Sequence, residues 1–299
     1  MAPLRHAILG AGGVGGVMAA FLAHLGESVT LVVRSESAAN YPSEIQLESP
    51  FGNFRAPVAH HKTVPPVDVL WITVKATQLD AALKAVATPD IAQAIVPLQN
   101  GIDHLHLLRA KYGEQRVISA TIAGEMERVA AGHFMHRTPF LVLNVSSAGR
   151  DLLGHAMDGL HKLGLQCRFI EDEPTLMWSK IVFLAPIALS TTAADLPVGG
   201  VRDDSAWKSL WESCVREACA VATAEGASVD PDAVVQRMST APAAMRSTMQ
   251  KDVERGNAPE LDDIAGPILR GGVRHGIKTP ATEKLAAAVE QRAGTRAIV

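Results

Sequence analysis

Three glycines near the N-terminus are spaced for phosphate chemistry. They sit in Gly10-Ala11-Gly12-Gly13-Val14-Gly15, a Gly-x-Gly-x-x-Gly pattern. Gly10 permits a tight turn, Gly12 lets the backbone approach a pyrophosphate with no Cβ in the way, and Gly15 lets a helix pack close to a strand. With Gly13 and Val14 they open a helix whose free N–H groups and partial positive charge suit a phosphate. The chemistry this predicts is dinucleotide binding. About 20 residues further on, where an acidic side chain would bond the 2′-hydroxyl of NAD, the chain has Arg34. A guanidinium fork suits a 2′-phosphate, so NADP(H) is the expected cofactor. Glu36, two residues on, is the counter-argument.

The elements that must position these residues follow from the apolar pattern. A short apolar run, His6-Ala7-Ile8-Leu9, precedes the glycines. Residues 14–25 are apolar and Ala-rich like a buried helix, Gly26 stops it, and residues 28–33 read as a second strand. Residues 41–61 read as short strands and turns. Residues 68–74 form a continuous apolar strand of the kind buried on both faces, and residues 79–87 a helix. Residues 94–98 give another strand, 103–112 a helix and 117–122 a strand. Residues 132–137 and 140–145 read as a hairpin, 152–163 as a helix and 166–170 as a last strand. Alternating strands and helices predict an α/β fold with a Rossmann-type, doubly wound, mostly parallel sheet. Ligands of such sheets sit beyond the carboxyl ends of the strands. Lys75, Gln78, Gln99 and Asn100, which follow two of those ends, are therefore site candidates.

Glu171-Asp172-Glu173-Pro174 breaks the composition, and the strand pattern disappears beyond it. The expected organisation is a dinucleotide-binding domain over 1–172 and an all-helical domain for substrate and dimerisation over 173–299. Its helices are read at 175–194, 207–224, 231–238, 260–275 and 282–293.

Composition narrows the function classes. Of 299 residues, 47% are hydrophobic and 20% charged, which is enough apolar material for two cores and excludes global disorder. A net charge of −3 with no long basic run gives no reason to expect nucleic acid or an anionic membrane. The longest apolar run, 181–189, contains Pro186 and is short of a membrane span. No signal peptide is visible, and the three cysteines, Cys167, Cys214 and Cys219, read as reduced thiols of a cytoplasmic protein, the latter two in a core. His60-His61, His104/His106 and His133/His136 lack accompanying Cys or clustered acids, so no metal is expected. Gly-x-Ser-x-Gly is absent, which leaves an α/β-hydrolase reading without its nucleophile.

With these residues in place, the chain resembles the ketopantoate reductase (2-dehydropantoate 2-reductase) family over nearly its whole length. The landmarks are Gly10-Ala11-Gly12-Gly13-Val14-Gly15, Val74-Lys75-Ala76-Thr77-Gln78, Gln99-Asn100-Gly101, Trp178-Ser179-Lys180, Ser247-Thr248-Met249-Gln250-Lys251-Asp252 and Pro259-Glu260-Leu261-Asp262. The resemblance implies NADPH-dependent reduction of a 2-oxo acid to a 2-hydroxy acid, as in pantothenate biosynthesis, with a helical second domain closing over the cofactor and a homodimer as the assembly. By position, Lys180 matches the family's catalytic lysine and Glu260 its essential carboxylate. Asn100 matches the asparagine at the nicotinamide end, reaching both cofactor and substrate, and Lys75 and Arg34 match basic groups near the cofactor. Thr248 falls where the family has a substrate-contacting serine. Substrate-side asparagines four and eight residues after the lysine are here Leu184 and Ala188, and a third, three before Thr248, is Met245.

The chemistry is consistent with those roles. Hydride arriving at a ketone carbon leaves an alkoxide that needs stabilisation and a proton, and an ammonium held at the oxygen supplies both. Lys180 follows Trp178 at the start of an apolar helix, where burial would lower its pKa. Glu260 is read three ways: pinning a hydroxyl, orienting Lys180, or sitting at a helix N-terminus for the dipole alone. Leu184 and Ala188 share a helical face with Lys180, which predicts an acceptor less polar than ketopantoate. Thr191 returns to that face as a possible hydroxyl donor, and Pro186 is expected to free a carbonyl nearby. Two alternatives stand beside this reading: a same-fold reductase for a less polar 2-oxo acid or an imine, and a non-catalytic NADP(H)-binding regulator.

Overall fold

Apolar runs of strand length, each followed by a segment that crosses back over the sheet, are the pattern that makes parallel strands. A computed structural model describes residues 3–294. In chain order the first part comprises β1 (Arg5–Leu9), α1 (Gly13–His24), β2 (Ser28–Val32), the single turn α2 (Ser35–Ala38), β3 (Glu44–Glu48), β4 (Phe54–Pro57), β5 (Ala59–His61) and β6 (Val67–Ile72). It continues with the single turn α3 (Leu79–Ala82), β7 (Ala92–Pro97), α4 (His104–Tyr112), β8 (Ala120–Ala123), β9 (Met126–Ala130), β10 (His133–His136), β11 (Val142–Ser146), α5 (Arg150–Lys162) and β12 (Gln166–Ile170). The main sheet is wholly parallel, in the order β5-β2-β1-β6-β7. Its carboxyl ends therefore lie along one edge.

Two smaller mixed sheets accompany it, ordered β4-β3-β10-β9 and β12-β11-β8. They correct the expected hairpin over 132–145. β10 pairs antiparallel with β9 and parallel with β3, whereas β11 pairs with β8 and β12. The tight turn is instead at Gly132, whose φ of +72° suits glycine. Between β10 and β11, Thr138 Oγ1 bonds Phe140 O at 2.7 Å and receives Glu125 N at 3.2 Å, so this segment turns away rather than back on itself. The helix expected over 79–87 shrinks to α3 and flanking 3-10 turns, with Val86 already extended. The uniformly apolar α1 is buried on both sides: β2 lies against it, and so do β3, β4, β9 and β10 of the second sheet. Gly16 makes this possible, because a Cβ there would overlap the ring of Phe134 on β10.

The remaining helices are α6 (Glu173–Ala194), α7 (Val198–Asp203), α8 (Ser205–Ala224), α9 (Pro231–Ser239), α10 (Thr248–Glu254), α11 (Leu261–His275) and α12 (Pro280–Ala293). α7 and α10 are short and carried no periodic signal in the sequence. Asp172 starts α6 by accepting Thr175 N at 3.2 Å, and Asp195 stops it in the left-handed conformation at φ +56°. By length and composition α6 is apolar enough to cross a membrane, but most of it is buried among α8, α10, α11 and α12 as a core helix. Pro186 lies within it, and the next hydroxyls bond back to the helix: Ser190 to Pro186 O, Thr191 to Ile187 O and Thr192 to Ala188 O, at 2.6–2.7 Å. Cys214 and Cys219 are buried in the same core and free.

The chain divides into two compact units, one holding the described residues up to 99 and 104–171, the other 100–103 and those from 172 onward. The four-residue segment 100–103 thus packs with the helices although it follows a strand of the main sheet.

His6 on β1 is fully buried and accepts Trp71 Nε1–H at its Nδ1, 3.1 Å away, which fixes a neutral ring. Glu27 Oε2 stands 3.8 Å from Nε2, beyond hydrogen-bond reach, and burial prevails, pulling the His6 pKa down to about 4. The unfolded chain takes up this proton first as pH falls, so stability present above the ordinary value of 6.5 is lost progressively toward pH 4. The contribution lost at pH 5 is about 2 kcal/mol. Urea unfolding at pH 7 and 5 should show His6→Gln losing less stability than the parent by that amount; equal losses would mean that the buried ring accepts the proton.

Candidate active site

The glycine turn is locked from below and open above. Gly10 takes φ +115°, and a Cβ on it would meet Val74 at 2.7 Å. At Gly15 a Cβ would overlap Gly10 O and Thr73 Oγ1, the close approach of helix to strand that its place in the motif requires. Thr73 completes the lock: its hydroxyl reaches Gly10 O at 2.7 Å and Leu9 O at 3.2 Å. Gly13 is demanded by packing as well, since its Cβ would overlap Met126 O of β9. Gly12 differs from all of these. It caps α1 in an extended conformation, and a Cβ there would have nothing within 4 Å. No side chain caps α1, and no acidic residue lies in its first turn, which contains the half-buried Val14. Uncapped N–H groups beside open space fit a pyrophosphate.

The other candidates in this unit follow the carboxyl ends of neighbouring strands. Arg34, after β2, is exposed and pairs with no acid among the described residues. Lys75, half-buried, precedes the 3-10 turn Ala76–Gln78, and Gln78 is exposed. Gln99 follows β7; its Nε2 donates to Val74 O at 3.0 Å, while its Oε1 is buried without a partner among the described residues. These side chains fit a nucleotide's phosphates and ribose in type and in edge.

In the helical unit the structure gathers Asn100, Lys180 and Glu260. Glu260 occupies the N-cap of α11, but its side chain makes no capping bond. It is 7% exposed, and its Oε2 accepts Asn100 Nδ2 at 3.1 Å. The carboxylate thus has a side-chain partner in addition to the helix N-terminus at which it sits. Lys180, half-buried, is the eighth residue of α6, between the buried Trp178 and Ile181. Burial lowers its pKa to about 8, and the Glu260 carboxylate opposes that fall. Asp263, one turn along, is pushed up to about 6 by burial and by Glu260, Asp262 and Asp103.

The predicted substrate face is less uniform. Leu184 is half-buried at the edge of the helical core and Ala188 lies inside it. Thr248 is exposed as the first residue of α10. Its neighbour Ser247 is the buried one: Ser247 Oγ accepts Gln250 N at 3.1 Å and lies 2.9 Å from Thr191 Oγ1. Thr191 is therefore taken up by Ser247 and Ile187 O, and the hydroxyl expected from it is engaged internally. Sequence reasoning missed Thr73, whose hydroxyl carries no motif signal. It also passed over Gln250, which is 1% exposed with neither amide atom partnered among the described residues.

Known proteins resemble this chain over most of its length. Residues 6–146 match the family model described as "Ketopantoate reductase PanE/ApbA", and residues 174–293 match its C-terminal model. A 2-dehydropantoate 2-reductase of Caulobacter vibrioides is 31% identical over 295 residues, covering 94% of this chain and 96% of that protein. Among solved structures, a PanE/ApbA family ketopantoate reductase from Ralstonia eutropha superposes with a TM-score of 0.84 at 24% identity, covering 97% of this chain and 99% of that one. D-mandelate dehydrogenase, solved with NADH and anilino(oxo)acetate, gives 0.85 at 18% identity with the same coverage.

The two glycines predict opposite mutant phenotypes. Gly12→Ala, at φ −84° with open space around it, should keep the parent's melting temperature yet weaken dinucleotide binding by about ten- to a hundred-fold, the effect of an intruding methyl. Gly15→Ala should lower stability by about 1–3 kcal/mol. Calorimetric titration and thermal melts distinguish them; full dinucleotide affinity in Gly12→Ala would remove the pyrophosphate from this turn.

Proposed function

The chain belongs to the ketopantoate reductase family of NADP-dependent oxidoreductases, and from that premise we propose that it reduces a 2-oxo acid to a 2-hydroxy acid with NADPH, Lys180 giving the proton. Bound nicotinamide supplies the hydride. The observation that carries the protein's share is the grouping of Lys180 with the Glu260 carboxylate that Asn100 holds; desolvation brings the ammonium to a pKa of about 8 and the carboxylate opposes that fall. Such a group is protonated at neutral pH and still releases its proton readily. It stabilises charge growing on the carbonyl oxygen and then neutralises it. Asn100 fixes the carboxylate by its hydrogen bond, so the ammonium faces a charge that does not wander. A regulator that only binds the dinucleotide has no use for this pair.

NADPH is preferred to NADH in this reading because Arg34 is exposed and pairs with no acid among the described residues, which suits a 2′-phosphate. The acceptor is less polar beyond its 2-oxo acid group than ketopantoate. Leu184, Ala188 and Met245 offer no amides, and the Thr191 hydroxyl is already engaged. The shared fold of D-mandelate dehydrogenase supports this, since mandelate carries no polar group besides its hydroxy acid.

NADPH oxidation with a panel of 2-oxo acids tests the reading. Alkyl and aryl acids without a terminal hydroxyl should match or exceed ketopantoate in kcat/KM; a preference above about a hundred-fold for ketopantoate would overturn the substrate assignment. Arg34→Ala should remove most of the discrimination against NADH, about ten- to a hundred-fold.

Lys180→Ala should lower kcat by about 10²–10⁴ with NADPH binding intact. Because the donor must be protonated, kcat/KM in the parent should be flat below pH 8 and fall about ten-fold per unit above it. A profile flat to pH 10 would remove Lys180 from the proton-donor role.

A further inference from the structure

Segment 100–103 is held against α11 at three of its four residues. Asn100 bonds Glu260 at the helix cap. Gly101 takes φ +84°, and a Cβ there would lie 2.5 Å from Asp263 O, so the backbone rests directly on the first turn. Asp103 pairs with Arg270 Nη2, while Arg270 Nη1 holds Asp262 Oδ1 at 2.5 Å.

Asp262 and Arg270 are eight residues apart, about 12 Å along a helix, and side chains normally meet at three or four. The residue between them is Gly266, four from each. A Cβ at 266 would sit 2.6 Å from Asp262 Oδ1 and overlap Arg270 Nη2. A glycine inside a helix is disfavoured relative to alanine. Here it leaves a groove in which the guanidinium lies along the helix and reaches Asp262 and Asp103 together.

We propose that Arg270, lying in the groove left by Gly266, is a positioning residue that clamps segment 100–103 onto α11 and so sets Asn100 against Glu260. The clamp opposes a real repulsion. Asp263, whose pKa is raised first by burial, is raised further by Glu260, Asp262 and Asp103, and Arg270 bridges two of the four carboxylates. A planar fork suits this bridging and an ammonium does not. The consequence for turnover rests on the function proposed above; the consequence for the segment does not.

Two measurements on Arg270→Gln, Arg270→Lys and Gly266→Ala test the proposal. Hydrogen exchange should speed up at the amides of residues 100–103 in Arg270→Gln and Gly266→Ala, with Arg270→Lys intermediate. Gly266→Ala displaces only flexible side-chain ends and gains helix propensity, so its melting temperature should not fall. In the same variants kcat should drop about ten-fold or more, as misplaced groups cost, with NADPH affinity unchanged. Unchanged exchange in both Arg270→Gln and Gly266→Ala overturns the clamp. Faster exchange with unchanged kcat overturns the positioning role. A parent protein that oxidises NADPH with no 2-oxo acid fails the functional reading instead, and the exchange rates then judge the clamp by themselves.

Discussion

A carboxylate withdrawn from water must find partners, and Glu260 finds them from residues remote in sequence. Left unpartnered at 7% exposure its charge would be costly to keep from water. It receives a hydrogen bond from Asn100, 160 residues earlier, and its charge acts on Lys180, 80 residues earlier. The helical unit is arranged to bring these about. α6 carries Lys180 into the unit between buried neighbours, α11 holds Glu260 at its N-cap, and Gly101 admits the backbone of Asn100 to the same helix end.

In the reaction proposed for this chain, the same pairing would let one lysine serve two needs. Burial alone would strip its proton too easily, and an exposed ammonium would hold it too tightly. The carboxylate sets a balance between the two. In the other unit the constraint is steric rather than electrostatic. Gly10, Gly13, Gly15 and Gly16 are each required by a neighbouring atom, and Gly12 alone faces open space. Four glycines are packed against neighbouring atoms, and the fifth is left accessible.

Much of this was legible in the sequence where a position admits one residue type. The glycine motif is such a case, because φ at Gly10 and the closeness at Gly15 exclude side chains. The parallel order of the main sheet follows from apolar runs too continuous to face water. Contacts between separated segments were not legible. Residues 132–145 carry two strand-like runs, and nothing local says that each pairs with a different sheet. Thr191 has the spacing to share the Lys180 face, yet Ser247 claims its hydroxyl from another helix. Arg270 and Asp262 stand at a spacing that helix rules dismiss, and only the bare backbone at Gly266 joins them.

Glu260 governs the proton on the half-buried Lys180 in this reading, and a direct titration tests it. NMR observation of the lysine side-chain carbons, with Lys180→Arg to assign the resonance, should give an apparent pKa of about 8 in the parent. Glu260→Gln removes the opposing charge and should shift that value further down. A Lys180 titrating at the ordinary 10.5, or one indifferent to Glu260→Gln, would contradict the account.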